Sequence, residues 1–214
     1  MGQFELGIVI PAYNEGNTIE KIVVEAIKFG MVIVVDDCSS DNTFMVSEKA
    51  GAIVLRQDAN LGYEEAINMG LKYAFKVGCS HVITMDADGE HSSECLKDFC
   101  SAFKNENYDL IIGVRKKTQR LAEALIGKFT NFIYGVEDIY CGMKGYSYGL
   151  WASYGSFDYN KSAGIELSMF ALKRKFKFKT LNVYGIKRVD APRYGVGIRL
   201  NFRMIFKFIK VLAS

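Results

Sequence analysis

The sequence predicts an α/β protein, with a mostly parallel sheet flanked by helices. Between residues 1 and 114, short apolar runs alternate with longer amphipathic segments. This alternation of strand and helix is typical of a parallel sheet that is covered on both faces. The chain has 214 residues and is 50% hydrophobic, enough to fill one sizeable core. We therefore expect a single domain over residues 1–214.

The elements of this first part follow one another in order. "LGIVIPAY" is a strand and "GNTIEKIVVEAIKF" is its helix. "MVIVVDD" is the second strand, and Asp41 or Asn42 can cap a helix that runs to Lys49. "AIVLR" is the third strand, followed by a helix in "NLGYEEAINMGLKYAFKVG", with Gly70 on its small-residue stripe. "HVITM", "SSECLKDFCSAF" and "YDLIIGV" then predict strand, helix and strand.

The pattern loosens from residue 115 to about residue 159, where aromatic residues and Gly are frequent. A helix is expected over 164–176, a strand over 178–186 and a turn-rich loop over 190–201. The last segment, 198–214, reads as an amphipathic helix. Its basic stripe is Arg199, Arg203, Lys207 and Lys210, and its apolar stripe is Phe202, Ile205, Ile209 and Leu212. Such a helix binds a membrane or a partner, or it is a final helix docked on its own sheet.

The charges are unevenly distributed. Residues 1–172 carry 15 Lys and Arg against 23 Asp and Glu, whereas residues 173–214 carry 12 Lys and Arg against one Asp. The basic tail indicates an anionic surface or ligand near that end, or a solvated tail. Nucleic-acid binding is disfavoured because the body is acidic and the tail is short. Five cysteines without a CxxC pair and the absence of a signal-peptide pattern predict a cytoplasmic protein.

Polar and acidic residues follow three of the predicted strands. They are Asn14 and Glu15 after the first strand, Asp36 and Asp37 after the second, and Asp86 and Asp88 after the fourth. Ligands of open parallel sheets bind beyond the carboxyl ends of the strands. Carboxylates are the oxygen ligands that Mg²⁺ and Mn²⁺ prefer, usually one or two of them together with substrate phosphates. Asp86-Ala87-Asp88 is therefore a candidate metal site, and an acidic surface turn is the alternative.

Four segments together resemble family 2 glycosyltransferases of the GT-A fold. They are "IVIPAYNE", "VIVVDDCSSDNT", "NLGYEEAINMGLKYA" and "MDADGEH", in this order and spacing. The chain is most similar to the branch of dolichyl-phosphate mannose synthase and bacterial polysaccharide glycosyltransferases. The resemblance is dense over residues 6–115 and weaker beyond. It implies a donor half, residues 1–115, an acceptor half, residues 116–198, and the terminal helix, 199–214.

The resemblance also implies roles for the residues of the donor half. Residues placed around the nucleotide sugar are Pro11, Ala12, Tyr13, Glu15, Asp36, Asp37, Asp86, Ala87, Arg115 and Arg199. Asp37 would accept a hydrogen bond from the nucleobase, and Asp86 would lie near the ribose or the metal. Asp88 would be the principal ligand of Mn²⁺ or Mg²⁺, and Glu90 would complete the shell. As alternatives, Pro11 merely ends a strand, and Asp36 and Asp37 cap the next helix.

In the acceptor half, Asp138 and Glu166 match acidic residues of the family. An inverting transfer to a hydroxyl needs a general base, and either carboxylate can serve, whereas a lipid phosphate arrives already ionised. Arg193 is the first choice among the arginines that would close on the diphosphate, because arginine matches phosphate oxygens in a bidentate manner. For Arg193 the alternative is a solvated basic loop, and for both acids it is a helix cap.

The resemblance implies an inverting, metal-dependent transfer of a sugar from a UDP- or GDP-sugar. The acceptor would be a glycan or a polyprenyl-phosphate-linked molecule, at the inner face of the membrane if residues 199–214 bind lipid. A homodimer is compatible with these expectations. Two alternatives stay open: a sugar nucleotidyltransferase, although "PAYNEGN" lacks a Gly-rich, Arg-containing loop, and a non-catalytic relative that binds sugar nucleotides.

Overall fold

The computed structural model describes residues 5–89, 93–116, 120–155, 163–184 and 198–213. It contains one seven-stranded sheet flanked by helices, which confirms the predicted α/β class. The strands are β1 (Leu6–Ala12), β2 (Met31–Asp36), β3 (Ile53–Arg56), β4 (His81–Thr84), β5 (Leu110–Arg115), β6 (Lys144–Ser147) and β7 (Phe178–Val183). The helices are α1 (Ile19–Ala26), α2 (Thr43–Lys49), α3 (Tyr63–Lys76), α4 (Ser93–Glu106), α5 (Leu121–Tyr134), α6 (Tyr148–Tyr154), α7 (Ala163–Lys173) and α8 (Ile198–Ala213).

The strand order is β3-β2-β1-β4-β6-β5-β7. β1 pairs in parallel with β2 and with β4, while β6 runs antiparallel to its neighbours β4 and β5. The sheet is thus mostly parallel, as expected. The order places the ends of β2, β1 and β4 side by side, which are the three strands followed by acidic residues.

The strands are apolar because both faces of the sheet are covered. In β1, Ile8 and Ile10 belong to the core under α1 and α4, whereas Val9 between them belongs to the core under α3. All three are fully buried. A continuous apolar run is what a strand needs when alternate side chains enter two different cores.

Three elements lie in the segment 115–159, where the sequence predicted none. They are α5, β6 and α6, and each has a buried side, with Ile126, Tyr146 and Leu150 in the core. β6 spans four residues, "KGYS", too few for a visible apolar period. The expected helix at 164–176 corresponds to α7. Of the expected loop at 190–201, residues 190–197 lie outside the described residues, and residues 198–201 belong to α8.

The terminal helix α8 packs mainly on α5 and α7. Phe208 and Val211 are buried in the core, and Lys173 Nζ of α7 donates to the carbonyls of Val211 (3.1 Å) and Leu212 (2.8 Å). The predicted apolar stripe is only partly the packed face: Ile205 and Leu212 are half-buried against the core. Ile209 is exposed, as is Phe202 at the start of the same stripe.

Helix α3 lies very close to β1, and Gly70 makes this possible. A Cβ at Gly70 would overlap the side chain of Val9. We expect Gly70→Ala to lower the free energy of unfolding by about 1–3 kcal/mol, because the helix must move away from a fully packed strand. Urea unfolding measures this. In the control Gly149→Ala, in exposed α6, the new Cβ meets only ordinary contacts, and stability is expected to be unchanged or slightly higher. Equal stability of both variants would contradict the close packing.

Candidate functional site

The turn after β1 is tied to the turn after β2. Asn14 has a positive φ of 53°, its N–H donates to Ser39 Oγ (2.9 Å), and its Oδ1 accepts from the N–H of Ser40 (2.8 Å). The N–H of Glu15 donates to Thr43 Oγ1 (2.8 Å) at the start of α2. These bonds hold the two turns together beyond the carboxyl edge of the sheet, where the sequence predicted that they would meet.

The residues expected around the nucleotide differ in exposure. Pro11 and Ala12 are the last residues of β1, and both are buried. A ligand at this edge of the sheet would therefore meet their backbone. Tyr13 is 39% exposed in the turn, and Glu15 is buried. Of these four, Tyr13 therefore offers the largest side-chain surface for contact with a ligand.

Asp37 fixes the segment that precedes α3. Its Oδ1 accepts from the N–H of Leu61 (2.8 Å), and its Oδ2 accepts from the N–H of Gly62 (2.9 Å). Burial raises the pKa of the Asp37 carboxyl, while the two N–H groups lower it. A carboxylate has about four acceptor positions, so these two bonds leave capacity for a ligand. These two bonds are made to the loop that leads into α3, not to the first turn of the next helix, α2.

Asp36 is fully buried, and its carboxylate contacts other residues of the protein. Its Oδ1 accepts from the N–H of Ser39 (3.0 Å), and its Oδ2 lies 3.5 Å from Nε of Arg56 on β3. The helix α2 receives its cap from Asp41, whose Oδ1 accepts from the N–H of Thr43 (3.0 Å). Asp36 thus connects β2, the following turn and β3.

The segment Asp86-Ala87-Asp88 directly follows β4. Oδ1 of Asp86 accepts from the hydroxyl of Tyr63 at 3.0 Å. Burial, and then the charge of Asp86, raise the pKa of Tyr63 well above its usual value, so the phenol stays protonated and donates. Ala87 is buried, and its carbonyl lies 2.9 Å from Thr18 Oγ1 of the β1–α1 turn. Asp88 is half-buried.

The donor atoms of this segment fit Mn²⁺ or Mg²⁺. Asp86 and Asp88 supply carboxylate oxygens two positions apart in one turn. Within the described ranges, no three His, Cys, Asp or Glu side chains form a group that could hold a metal alone. Ions of this kind are commonly bound by one or two carboxylates together with substrate phosphates. The third expected ligand, Glu90, lies outside the described residues.

Arg115 lies at the centre of a buried ion cluster. Its Nε and Nη2 bond to the two carboxylate oxygens of Asp138 at 2.7 and 2.9 Å, and Nη2 also bonds to Glu123 at 3.1 Å. Arg120 bonds to the other oxygen of Glu123 at 2.6 Å. Burial alone would lower the pKa of Arg115, but the bonds to Asp138 outweigh it and raise the pKa. Two residues expected in different roles, Arg115 and Asp138, are therefore partners of each other.

Lys144, which the sequence analysis did not consider, is buried beside this cluster. Its Nζ donates to the carbonyl of Gly164 at 3.2 Å, next to the hydroxyl of Tyr146, which donates to the same carbonyl at 3.3 Å. Burial lowers the pKa of the Lys144 ammonium. Both bonds hold the first turn of α7, which carries the buried Glu166. A Lys within the short strand β6 was the only sequence feature that marked this position.

Two expected ligand-binding arginines cannot be assigned a position. Arg193 lies outside the described residues, and so does the side chain of Arg199, whose backbone belongs to α8.

The fold and the acidic edge together define an α/β protein with a candidate ligand site beyond the carboxyl ends of β1, β2 and β4. The chain belongs to glycosyl transferase family 2, because the model of that family matches residues 7–131, more than half of the sequence. This confirms the resemblance inferred from the sequence motifs, and it makes the chain a glycosyltransferase.

Several relatives are similar over different lengths. An uncharacterized protein of Methanocaldococcus jannaschii is 30% identical over 225 residues, 96% of this chain and 91% of that protein. The undecaprenyl-phosphate mannosyltransferase of Micrococcus luteus is 26% identical over 91% of this chain and 75% of its own length. The UDP-N-acetylglucosamine–dolichyl-phosphate N-acetylglucosaminyltransferase of Methanococcus voltae is 26% identical over 132 residues, so the chain matches only 53% of that enzyme.

Solved structures show the same architecture. Glucosyl-3-phosphoglycerate synthase from Mycobacterium tuberculosis, in complex with Mn²⁺, UDP and glucosyl-3-phosphoglycerate, superposes with a TM-score of 0.76. The match covers 98% of this chain and 79% of that one, at 18% identity. The same enzyme with Mg²⁺ and UDP gives a TM-score of 0.78. The likeness confirms the GT-A fold.

The ion cluster yields a prediction on stability. Arg115→Gln would leave the buried carboxylates of Asp138 and Glu123 without their shared cation. We expect the free energy of unfolding to fall by about 3–5 kcal/mol, which urea or thermal unfolding measures. The matched control is Lys179→Gln, which breaks the pair with Glu106 at the surface (2.8 Å) and should leave stability unchanged. Similar stability of the two variants would show that the buried cluster contributes no more than a surface pair.

Proposed function

We propose that this chain transfers a sugar, with inversion, from a UDP- or GDP-sugar to a glycan or polyprenyl-phosphate-linked acceptor. The observation that carries the proposal is the position of Asp86 and Asp88, at the end of β4, next to the β1–α1 turn and at the same edge of the sheet as Asp37. The names of two relatives support it: one is a dolichyl-phosphate N-acetylglucosaminyltransferase, and the other is an undecaprenyl-phosphate mannosyltransferase. The complexes of the mycobacterial synthase with UDP and Mn²⁺ support the donor class.

In the donor half, we assign the nucleobase to Asp37 and the nucleoside to the turn that contains Tyr13. Asp86 and Asp88 would hold Mn²⁺ or Mg²⁺, with Glu90 as an auxiliary ligand. The bound cation would neutralise the diphosphate as it departs. Arg193 and Arg199 are assigned to the far side of the diphosphate. Asp36 acts through the β2 turn, because its oxygens are directed to Ser39 and Arg56.

In the acceptor half, Asp138 and Glu166 are the two proposed bases. Both oxygens of Asp138 are engaged by Arg115, so a proton accepted there would break that pair. This counts against Asp138 and makes Glu166 the base that we propose for a hydroxyl acceptor. A polyprenyl phosphate is already ionised and needs neither residue.

The test is donor turnover with and without Mn²⁺. Purified protein is screened by thermal shift with UDP-, GDP- and CDP-sugars, and hydrolysis or transfer is then measured with the stabilising donor. We expect Asp88→Ala to reduce turnover by at least a thousandfold, because it removes the principal metal ligand. Glu90→Gln is expected to stay within about tenfold of the unchanged protein, as an auxiliary ligand would.

Three results would contradict this function. A protein that binds a nucleotide sugar but never turns it over with Mn²⁺ is a non-catalytic relative. Formation of a nucleotide sugar from a sugar phosphate and a nucleoside triphosphate would identify a nucleotidyltransferase. Full activity of Asp88→Ala would exclude the assigned metal site.

We further propose that an apolar surface on the outer sides of α5 and α8 binds the membrane that carries the acceptor. We name it the α5–α8 surface. Its exposed apolar residues are Leu121, Leu125, Phe129, Phe132, Ile133, Phe202, Phe206 and Ile209. Phe132 is 91% exposed and Phe202 69%. The helices adjoin, with the rings of Phe129 and Phe208 6.0 Å apart in a T-shaped pair.

The charges of the α5–α8 surface complement an anionic bilayer. Lys128, Arg203 and Lys210 are exposed, and Glu123, the sole acidic residue within the two helices' sequences, is buried in the ion cluster. Apolar side chains with a basic rim bind anionic lipid surfaces. No helix in the described part of the chain is long and apolar enough to cross a membrane. We therefore propose peripheral binding at the cytoplasmic face.

The α5–α8 surface makes a specific prediction on lipid binding. The double variant Phe132→Ser/Phe202→Ser should bind phosphatidylglycerol vesicles at least tenfold more weakly in co-sedimentation, because burial of each ring contributes roughly 1.5–3 kcal/mol. Met45→Ser, at a 56% exposed position of α2, is the control and should bind normally. Deletion of residues 199–214 should also weaken binding, but it removes the buried Phe208 and Val211 from the core, so substitutions are the sharper test.

Unchanged vesicle binding in the double variant would refute the membrane role. A dimer in sedimentation analysis that this variant dissociates would assign the surface to a second copy of the chain instead.

A further inference from the structure

The carboxylate of Asp86 is contacted by two parts of the chain that are far apart in sequence. On the donor side, the hydroxyl of Tyr63 donates to Oδ1 at 3.0 Å. On the acceptor side, Gly142 packs directly against the carboxylate, and a Cβ at this position would overlap both carboxylate oxygens. A hydroxyl bonded to a carboxylate is a charge-assisted hydrogen bond, which fixes orientation more strongly than a neutral one.

The position of Tyr63 is itself determined by Asp37. The carboxylate of Asp37 holds the N–H groups of Leu61 and Gly62 at 2.8 and 2.9 Å, and Tyr63 follows as the first residue of α3. Gly62 has a φ of 91°, a conformation that L side chains rarely adopt, and it lets the chain turn into the helix. Asp37 is therefore connected to Asp86 through the main chain of residues 61–63 and the hydroxyl of Tyr63.

Gly142 is also fixed in place. Its carbonyl accepts from Thr84 Oγ1 at 2.9 Å, so the segment before β6 is tied to the end of β4. Only a residue without a side chain allows the backbone to approach the Asp86 carboxylate so closely. The bond from Tyr63 and the contact with Gly142 together leave the Asp86 carboxylate little freedom to rotate.

We propose that Tyr63 is a positioning residue for the metal-bound donor, acting through its hydrogen bond to Asp86, with Gly142 as a second close contact of the same carboxylate. This inference rests on the proposed function, in which Asp86 faces the metal and the diphosphate. The hydroxyl and the glycine hold the Asp86 carboxylate in one orientation before the ligand arrives. Less binding energy is then spent on ordering the carboxylate when the cation and the nucleotide bind.

The experiment measures Mn²⁺ binding instead of turnover. Free Mn²⁺ is quantified by electron paramagnetic resonance during titrations of the protein in excess UDP and, separately, in excess GDP. We expect Tyr63→Phe to raise the apparent Kd for Mn²⁺ about tenfold, the effect of losing one hydrogen bond to a charged group. The control Tyr73→Phe removes a hydroxyl from the half-buried ring of another tyrosine of α3 and should leave the Kd unchanged.

A second variant tests the contact between Gly142 and Asp86. Gly142→Ala should also weaken Mn²⁺ binding, because the new methyl group displaces the carboxylate. Both ligand-free variants should unfold cooperatively, with Tyr63→Phe slightly less stable because its bond to Asp86 is already present without ligand. Nucleotide affinity without Mn²⁺ should be equal in the two, which a general structural defect would not allow.

The possible outcomes distinguish a failure of this inference from a failure of the proposed function. An unchanged Kd for Mn²⁺ in Tyr63→Phe, while the unaltered protein binds Mn²⁺ with UDP or GDP, overturns the role of Tyr63 alone. An equal loss in Tyr73→Phe overturns it as well. An unaltered protein that binds Mn²⁺ with neither nucleotide overturns both this inference and the proposed function.

Discussion

The parallel hydrogen bonds that join β1 to β2 on one side and to β4 on the other are the constraint on which the site depends. Ala12 is in register with Asp36, and Val9 is in register with Thr84. The main chain continues this pairing beyond the strands, since the N–H of Asp37 donates to the carbonyl of Ala12 at 2.9 Å. Three turns are thereby brought to one edge, where side-chain bonds then fix their relative positions.

The parallel part of the fold was predictable because the sequence pattern that indicates each strand lies within that strand. The first five strands are apolar runs, each long enough to be recognised, and all but the edge strand β3 are largely buried. The acidic residues that follow three of these strands stand next to them in the sequence. The convergence of Asp37 and Asp86 on one edge needed only the rule that ligands bind beyond the carboxyl ends of parallel strands.

The remaining features depend on contacts between distant residues. Arg115 and Asp138 looked like separate ligand contacts, yet they form one buried pair across 23 positions. Tyr63 occupied an ordinary place at the start of a helix, and its bond to Asp86 exists only once α3 has packed on the sheet. No local pattern encodes such pairings. The roles assigned to Glu90 and Arg193 stay predictions, because both residues lie outside the described structure.

The insertion of β6 between β4 and β5 has a consequence for the order of folding. β1, β2, β3 and β4 can assemble from consecutive chain, but β5 cannot join them until β6, from beyond α5, has entered the gap. Contacts between residues far apart in sequence form slowly, because a long loop must close first. As the chain leaves the ribosome, the edge that carries the candidate site can therefore form early, while β4 remains an open edge until Lys144–Ser147 arrive.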